Sequence, residues 1–95
     1  VKESVKKKLK EKMMERADVN IGKQGLAGSV LKEIDRRLKD GEVVKVRILK
    51  SALVAEGIED RKKLAESLAE KLNVDAMEIR GYTVVLYRKC GRRTV

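Results

Sequence analysis

Val19-Asn20-Ile21-Gly22-Lys23-Gln24-Gly25-Leu26 joins two kinds of hydrophobic periodicity across one short turn. Val19 and Ile21 alternate with Asp18 and Asn20, the period of a strand with one buried face. After Gly25 the apolar positions fall at Leu26, Val30, Ile34 and Leu38, with Ala27 and Leu31 beside them, the period of a helix. The stretch is therefore predicted to run strand, turn, helix. Two glycines flanking Lys23 and Gln24 let the turn adopt conformations that a Cβ would forbid and bring its amides close to a ligand. A helix starting just after Gly25 would aim its unpaired first-turn amides the same way, favouring an anion, and Lys23 adds a mobile positive charge. A phosphate group suits that arrangement. The same Gly-x-x-Gly pattern also serves ordinary strand-to-helix turns, so the surrounding chain has to decide.

Upstream, Val1, Val5, Leu9 and Met13 recur every fourth residue between lysines, which predicts a helix over 2–16 with a narrow apolar stripe and basic remaining faces. Downstream, Gly41 stands where a left-handed cap would end the second helix. Glu42 to Lys50 reads as a strand with Val44, Val46 and Ile48 on one face and Val43, Lys45, Arg47 and Leu49 on the other. Residues 51–59 fit either a helical turn or a packed loop around Gly57. Asp60 can cap a helix from Arg61 to Leu72, with Leu64, Leu68 and Leu72 on its stripe. Ala76–Arg80 and Thr83–Arg88 form strands joined through Gly81-Tyr82, a turn so short that they must pair antiparallel. The order is helix, strand, helix, strand, helix, strand, strand. Strands separated by whole helices are expected to pair in parallel. The predicted architecture is an α/β fold, a mixed four-stranded sheet packed with three helices. A single domain is expected over 1–95, with its core over about 2–88 and a basic tail over 89–95.

The chain carries a formal charge of +9, with 41% charged residues and no histidine. Residues 1–16 hold seven Lys or Arg against three Glu, and residues 88–95 hold four Lys or Arg and no acid. Nearly all the excess thus sits at the two ends. If both ends lie on one side of the fold they make a face for a polyanion; otherwise they are solvated, solubilising tails. Without histidine the usual general base and the usual metal ligand are both missing, and the one cysteine, Cys90, cannot build a thiolate zinc site. The acids stand mostly beside basic residues, as in Lys32-Glu33 and Asp35-Arg36, which suits surface ion pairs better than paired catalytic carboxylates. No catalytic activity, metal or cofactor is expected. No apolar run has the length of a membrane span, and the single cysteine suits a reducing compartment, so a soluble cytoplasmic protein is expected.

In this order, three stretches resemble the CRM domain, the chloroplast RNA splicing and ribosome maturation family. They are Val19 to Leu26 with the helix after it, Glu42-Val43-Val44-Lys45-Val46, and Gly81-Tyr82-Thr83-Val84-Val85-Leu86-Tyr87-Arg88. The resemblance covers nearly everything from the first helix to Arg88. It implies RNA binding, with a Gly-x-x-Gly loop like that of KH domains, and so places Gly22, Lys23, Gln24 and Gly25 in an RNA-contacting loop. It further implies association with precursor large ribosomal subunits or with intron-like RNA. The chain departs from the family at Leu72-Asn73-Val74, where Thr-Gly is common, and at Tyr82, where a basic residue is common.

A loop of the KH type grips the nucleic-acid backbone, which suits Lys23 and Gln24. Lys6, Lys7 and Lys10, with Lys8 and Lys12, would add phosphate contacts if their helix borders the loop, and Arg88 would join them on the basic surface. Tyr87 reads as a core residue, whereas Tyr82, at the hairpin tip, could stack a base. The expected protein is a monomer that holds structured RNA. The alternative is a protein-interaction domain whose basic ends dock on an acidic partner.

Overall fold

The computed structural model describes residues 3–89. Cys90 and the basic positions Arg92 and Arg93, expected in a C-terminal tail, lie outside the described residues. Eight elements follow one another: α1 (Glu3–Met13), β1 (Val19–Ile21), α2 (Gly28–Gly41), β2 (Val43–Ile48), α3 (Lys50–Glu56), α4 (Arg61–Leu72), β3 (Ala76–Arg80) and β4 (Thr83–Tyr87). The four strands form one mixed sheet in the order β1-β2-β4-β3. β1 runs parallel to β2, with Val19, Asn20 and Ile21 opposite Val46, Arg47 and Ile48. β4 is antiparallel to both β2 and β3.

Pairing through helical connections holds for β1 and β2 but not for β2 and β3, because β4 inserts between them. The residues explain why. Val84, Val85, Leu86 and Tyr87 are all buried, as a strand covered on both faces requires, whereas β3 carries Glu78 and ends on an exposed Arg80. A strand apolar on both faces belongs at the centre, and one with charges tolerates the edge.

Alternation along the strands divides the core in two. Val44, Val46 and Ile48 with Val84 and Leu86 face α2 and α4, where they meet Ile34, Leu38, Leu64 and Leu68. On the other face Val85 and Tyr87, with Val43 and Ala76, pack beneath Leu9 and Met13 of α1. The result is three layers, with a single helix on one side of the sheet and three on the other.

Element ends follow from local chemistry. Helix α1 is shorter than expected because the Lys45 ammonium, rising from the sheet, donates to the carbonyls of Met13 (2.6 Å) and Glu15 (2.5 Å) and closes its C-terminus. A fourth helix, α3, starts at Lys50, where the strand was expected to end, and fills the first part of residues 51–59. Gly57 ends it in the left-handed conformation, its amide reaching back toward Leu53 and Val54, and the Ile58 amide donates to the Leu53 carbonyl (3.0 Å). That is a Schellman ending sealed by Ile58 against Leu53, both packed on the core. Asp60 caps α4 as expected, accepting from the Lys62 amide at 2.9 Å. Gly41 is not the left-handed cap of α2. It is the last helical residue, and the reversal falls on Glu42, at φ 69°. β2 begins at once with Val43, and the Glu42 carbonyl already accepts from the Arg88 amide (2.9 Å), so only Glu42 is left to turn the chain.

Candidate nucleic-acid interface

The glycine turn forms where the sequence places it, at the end of β1. The Gly25 amide donates to the Gly22 carbonyl at 2.8 Å, and Gly25 has φ +59°, a conformation that costs any other residue strain. Lys23 and Gln24 project from the turn, exposed. Gly22 lies against Leu49 and Ser51, and Gly25 lies so close to Glu56 that a Cβ there would collide with its carboxylate. Glu56, the last residue of α3, accepts a hydrogen bond from the Leu26 amide at 2.8 Å.

This contact corrects one expectation about the loop. The Gly25 and Leu26 amides do not face an incoming anion; one closes the turn and the other is held by Glu56. Nor does the helix follow Gly25 directly, since Leu26 and Ala27 intervene before α2 begins at Gly28. The N-terminus of α2 remains suited to an anion. Its N-cap residue is Ala27, which has no capping side chain, and no acid stands in the first turn.

The lysines of α1 do not border this loop. The loop leaves the sheet beyond the Ile21–Ile48 pair, while α1 covers the opposite end around Val43, Tyr87 and Ala76. Lys6, Lys7 and Lys10 are exposed and line a shallow depression with Glu3, Ser4 and Glu11. Two of their neighbours are committed elsewhere. Lys8 pairs with Glu42 (3.4 Å) and lies 5.6 Å from the centre of the Tyr87 ring. Lys12 pairs with Asp18 (3.0 Å) and Glu15 (3.1 Å). Burial acts to lower the Lys12 pKa, but the two carboxylates prevail and raise it.

Arg88, expected on the RNA-binding surface, is 3% exposed. Its guanidinium donates to the carbonyls of Leu72 (2.9 Å) and Asp35 (3.2 Å) and pairs with the Asp35 carboxylate at 2.8 Å. Burial pushes the Asp35 carboxyl up, yet Arg88 and Lys39 hold it below its ordinary value. Arg88 therefore joins the middle of α2 and the C-terminal end of α4 to the sheet and has no face to offer phosphate. Tyr87 is a core residue, as expected. Tyr82 is 41% exposed at the hairpin tip, with the Arg61 guanidinium 5.1 Å from its ring centre. It edges an open depression of about 500 Å³ formed with Leu53, Val54 and Ile58.

Glu56 escaped sequence reading altogether. It lies thirty residues beyond its amide partner, in a stretch left open between helix and loop. Among the described residues, no group of three or more potential ligands could hold a metal ion, and no helix is long and apolar enough to cross a membrane.

Comparison with known proteins gives the family and matches the fold. A family model described as the CRS1/YhbY (CRM) domain matches residues 2–88. A protein of Methanocaldococcus jannaschii, named a probable RNA-binding protein, is 35% identical over 68 residues, covering 72% of this chain and 48% of the relative. The chain thus spans about half the length of that curated relative. The solution structure of a Staphylococcus aureus protein, described as a candidate RNA-binding protein, superposes with a TM-score of 0.70 at 25% identity, covering 99% of this chain and 94% of the other.

Proposed function

Because the chain belongs to the CRS1/YhbY (CRM) domain family, we propose that it binds structured RNA, holding the phosphate backbone at the Lys23–Gln24 turn and the open N-terminus of α2. The observation that carries this reading is the exposed Lys23-Gln24 pair beside a helix start that has neither a capping side chain nor a first-turn acid. Phosphate meets a positive side chain and the positive end of a helix dipole there. Glu56 keeps the Leu26 amide out of the contact, so the anion sits toward Lys23 and the first turn of α2. Lys6, Lys7 and Lys10 add sequence-independent attraction from the other end of the molecule. The names of the archaeal and staphylococcal relatives support RNA as the partner. The family resemblance further suggests a cytoplasmic factor in large ribosomal subunit maturation or in RNA splicing, working by binding and without catalysis.

The test is the double substitution Lys23→Asp with Gln24→Asp, titrated against a stem-loop RNA. Two carboxylates would stand where phosphate approaches, and the dissociation constant should rise at least about tenfold, or ~1.4 kcal/mol. Thermal melting should match the parent, since both side chains are exposed, both glycines remain, and acids near a helix N-terminus do not destabilise it. A variant that melts and binds like the parent would reduce Gly22–Gly25 to a turn. Nuclease treatment of a lysate before gel filtration separates the alternative, an acidic protein partner, because that complex would survive loss of the RNA.

A further inference from the structure

The loop and the basic helix stand at opposite ends of the sheet, and the surface between them has its own chemistry. Along β2, the level of the loop at Ile48 and the row covered by α1 at Val43 are five residues apart, about 17 Å at strand rise. Charges that far apart are screened from one another at physiological ionic strength, where the Debye length is about 8 Å. The Lys23 turn and Lys6, Lys7 and Lys10 therefore cannot share one phosphate. They can share one RNA only if its chain crosses the ground between.

That ground is the uncovered part of the face on which α1 packs. α1 stops at Lys45, whose ammonium closes the helix end. Two residues further along β2 comes Arg47, paired in register with Asn20 on β1 and with Thr83 on β4, while Thr83 is paired with Arg80 on β3. Asn20, Arg47, Thr83 and Arg80 thus form one row across all four strands, their side chains on the same face. Asn20, Arg47 and Arg80 are exposed and Thr83 is half-buried. No carboxylate stands in the row. Glu78, in the next row, approaches Arg80 only to 3.8 Å, while Arg36, Arg37 and Arg88 have acid partners within 3 Å. Asn20 precedes Gly22 by two residues, about 7 Å of strand, so the row is continuous with the loop.

We propose that the row Asn20–Arg47–Thr83–Arg80 is a second RNA-binding site, over which the strand held at the glycine turn passes toward the lysines of α1. The chemistry is suited to nucleic acid. A guanidinium can fork onto phosphate or lie flat on an unstacked base, and the Asn and Thr side chains can donate to phosphate or sugar oxygens. The two arginines are separated by one strand, about 10 Å, a spacing for an extended chain rather than a single small anion. The site rests on the reading of the loop as an RNA contact, and the experiment keeps the two apart.

Arg47→Gln with Arg80→Gln is compared with the Lys23/Gln24 double variant and with the parent, all titrated against the same stem-loop RNA bearing a single-stranded tail, at several salt concentrations. The expected result is a fivefold or greater rise in the dissociation constant, with the slope of log K against log salt shallower by about 1 to 2. If the loop variant weakens and R47Q/R80Q binds as the parent does, the sheet site is overturned and the loop reading stands. If only R47Q/R80Q weakens, the loop reading fails and the sheet site stands. NMR titration of the unaltered protein with that RNA gives a readout independent of any variant's folding. Amide shifts at Asn20, Arg47 and Thr83 are expected, and shifts confined to Lys23, Gln24 and the start of α2 would overturn the site.

Discussion

Arg88 follows the apolar run of β4 directly and precedes a basic tail, so by sequence it can belong to either. Its position in the fold assigns it to the core: two guanidinium nitrogens reach two backbone carbonyls and one carboxylate while the side chain is almost wholly buried. A guanidinium so placed is stabilising only because every partner is present. Arg88→Met should lower the unfolding free energy by about 2 kcal/mol, since a charged hydrogen-bond donor is lost and the Leu72 carbonyl is left without it. Urea unfolding measures that cost. RNA titration at a temperature where the variant is folded should return the parental affinity; parental stability with lost binding would put Arg88 back on the surface. Glu56 makes the opposite case. Its carboxylate shapes the loop from a distant helix, and no local pattern marks a glutamate as an amide acceptor thirty residues away. Lys23 and Gln24 were legible because exposure and turn chemistry are both local properties.

At the scale of elements, periodicity sufficed wherever one face alone is buried. α4 appears with the bounds its leucine stripe and Asp60 cap imply, and β2 presents the two faces its alternation describes. Short elements and neighbour relations were less legible. α3 has seven residues, too few for periodicity to separate a helix from a packed loop, and its identity is fixed by the Gly57 ending and the core beneath Ala52. The end of α2 allows a direct check. Gly41 is helical, is not among the glycines with positive φ, and a Cβ there would meet open space. Gly41→Ala should therefore stabilise the protein by about 0.5–1 kcal/mol, through helix propensity and a less flexible unfolded chain. A left-handed cap at Gly41 would produce destabilisation instead, and a thermal melt distinguishes the two signs.

For the whole molecule, two carboxylates join parts of the chain remote in sequence. Burial tends to raise the Asp18 pKa, but the Lys45 amide (3.0 Å) and the Lys12 ammonium (3.0 Å) outweigh it and hold the group below its ordinary value. Asp35 is held down likewise by Arg88. A carboxylate whose folded pKa is depressed contributes stability that is complete above its unfolded pKa, about 3.9, and is lost as pH falls through the lower folded value. Thermal melts should therefore change little from pH ~7 to ~5 and drop below pH ~4. Asp18→Asn and Asp35→Asn should each melt lower at neutral pH and show a shallower acid decline; an unchanged decline in both would mean these contacts do not set acid stability. The mixed sheet and its helical layers were legible at this scale, but the strand order was not, because a hairpin's own residues do not say which of its strands seeks a distant partner. That order has a consequence for synthesis. β2 finds its antiparallel neighbour only after α3, α4 and β3 have been made, and the Arg88 amide must still reach the Glu42 carbonyl (2.9 Å). On a translating ribosome, the backbone edge of β2 that pairs with β4 has no partner until residues 83–88 leave the exit channel, so the domain is vulnerable to misassociation along that edge until β4 emerges.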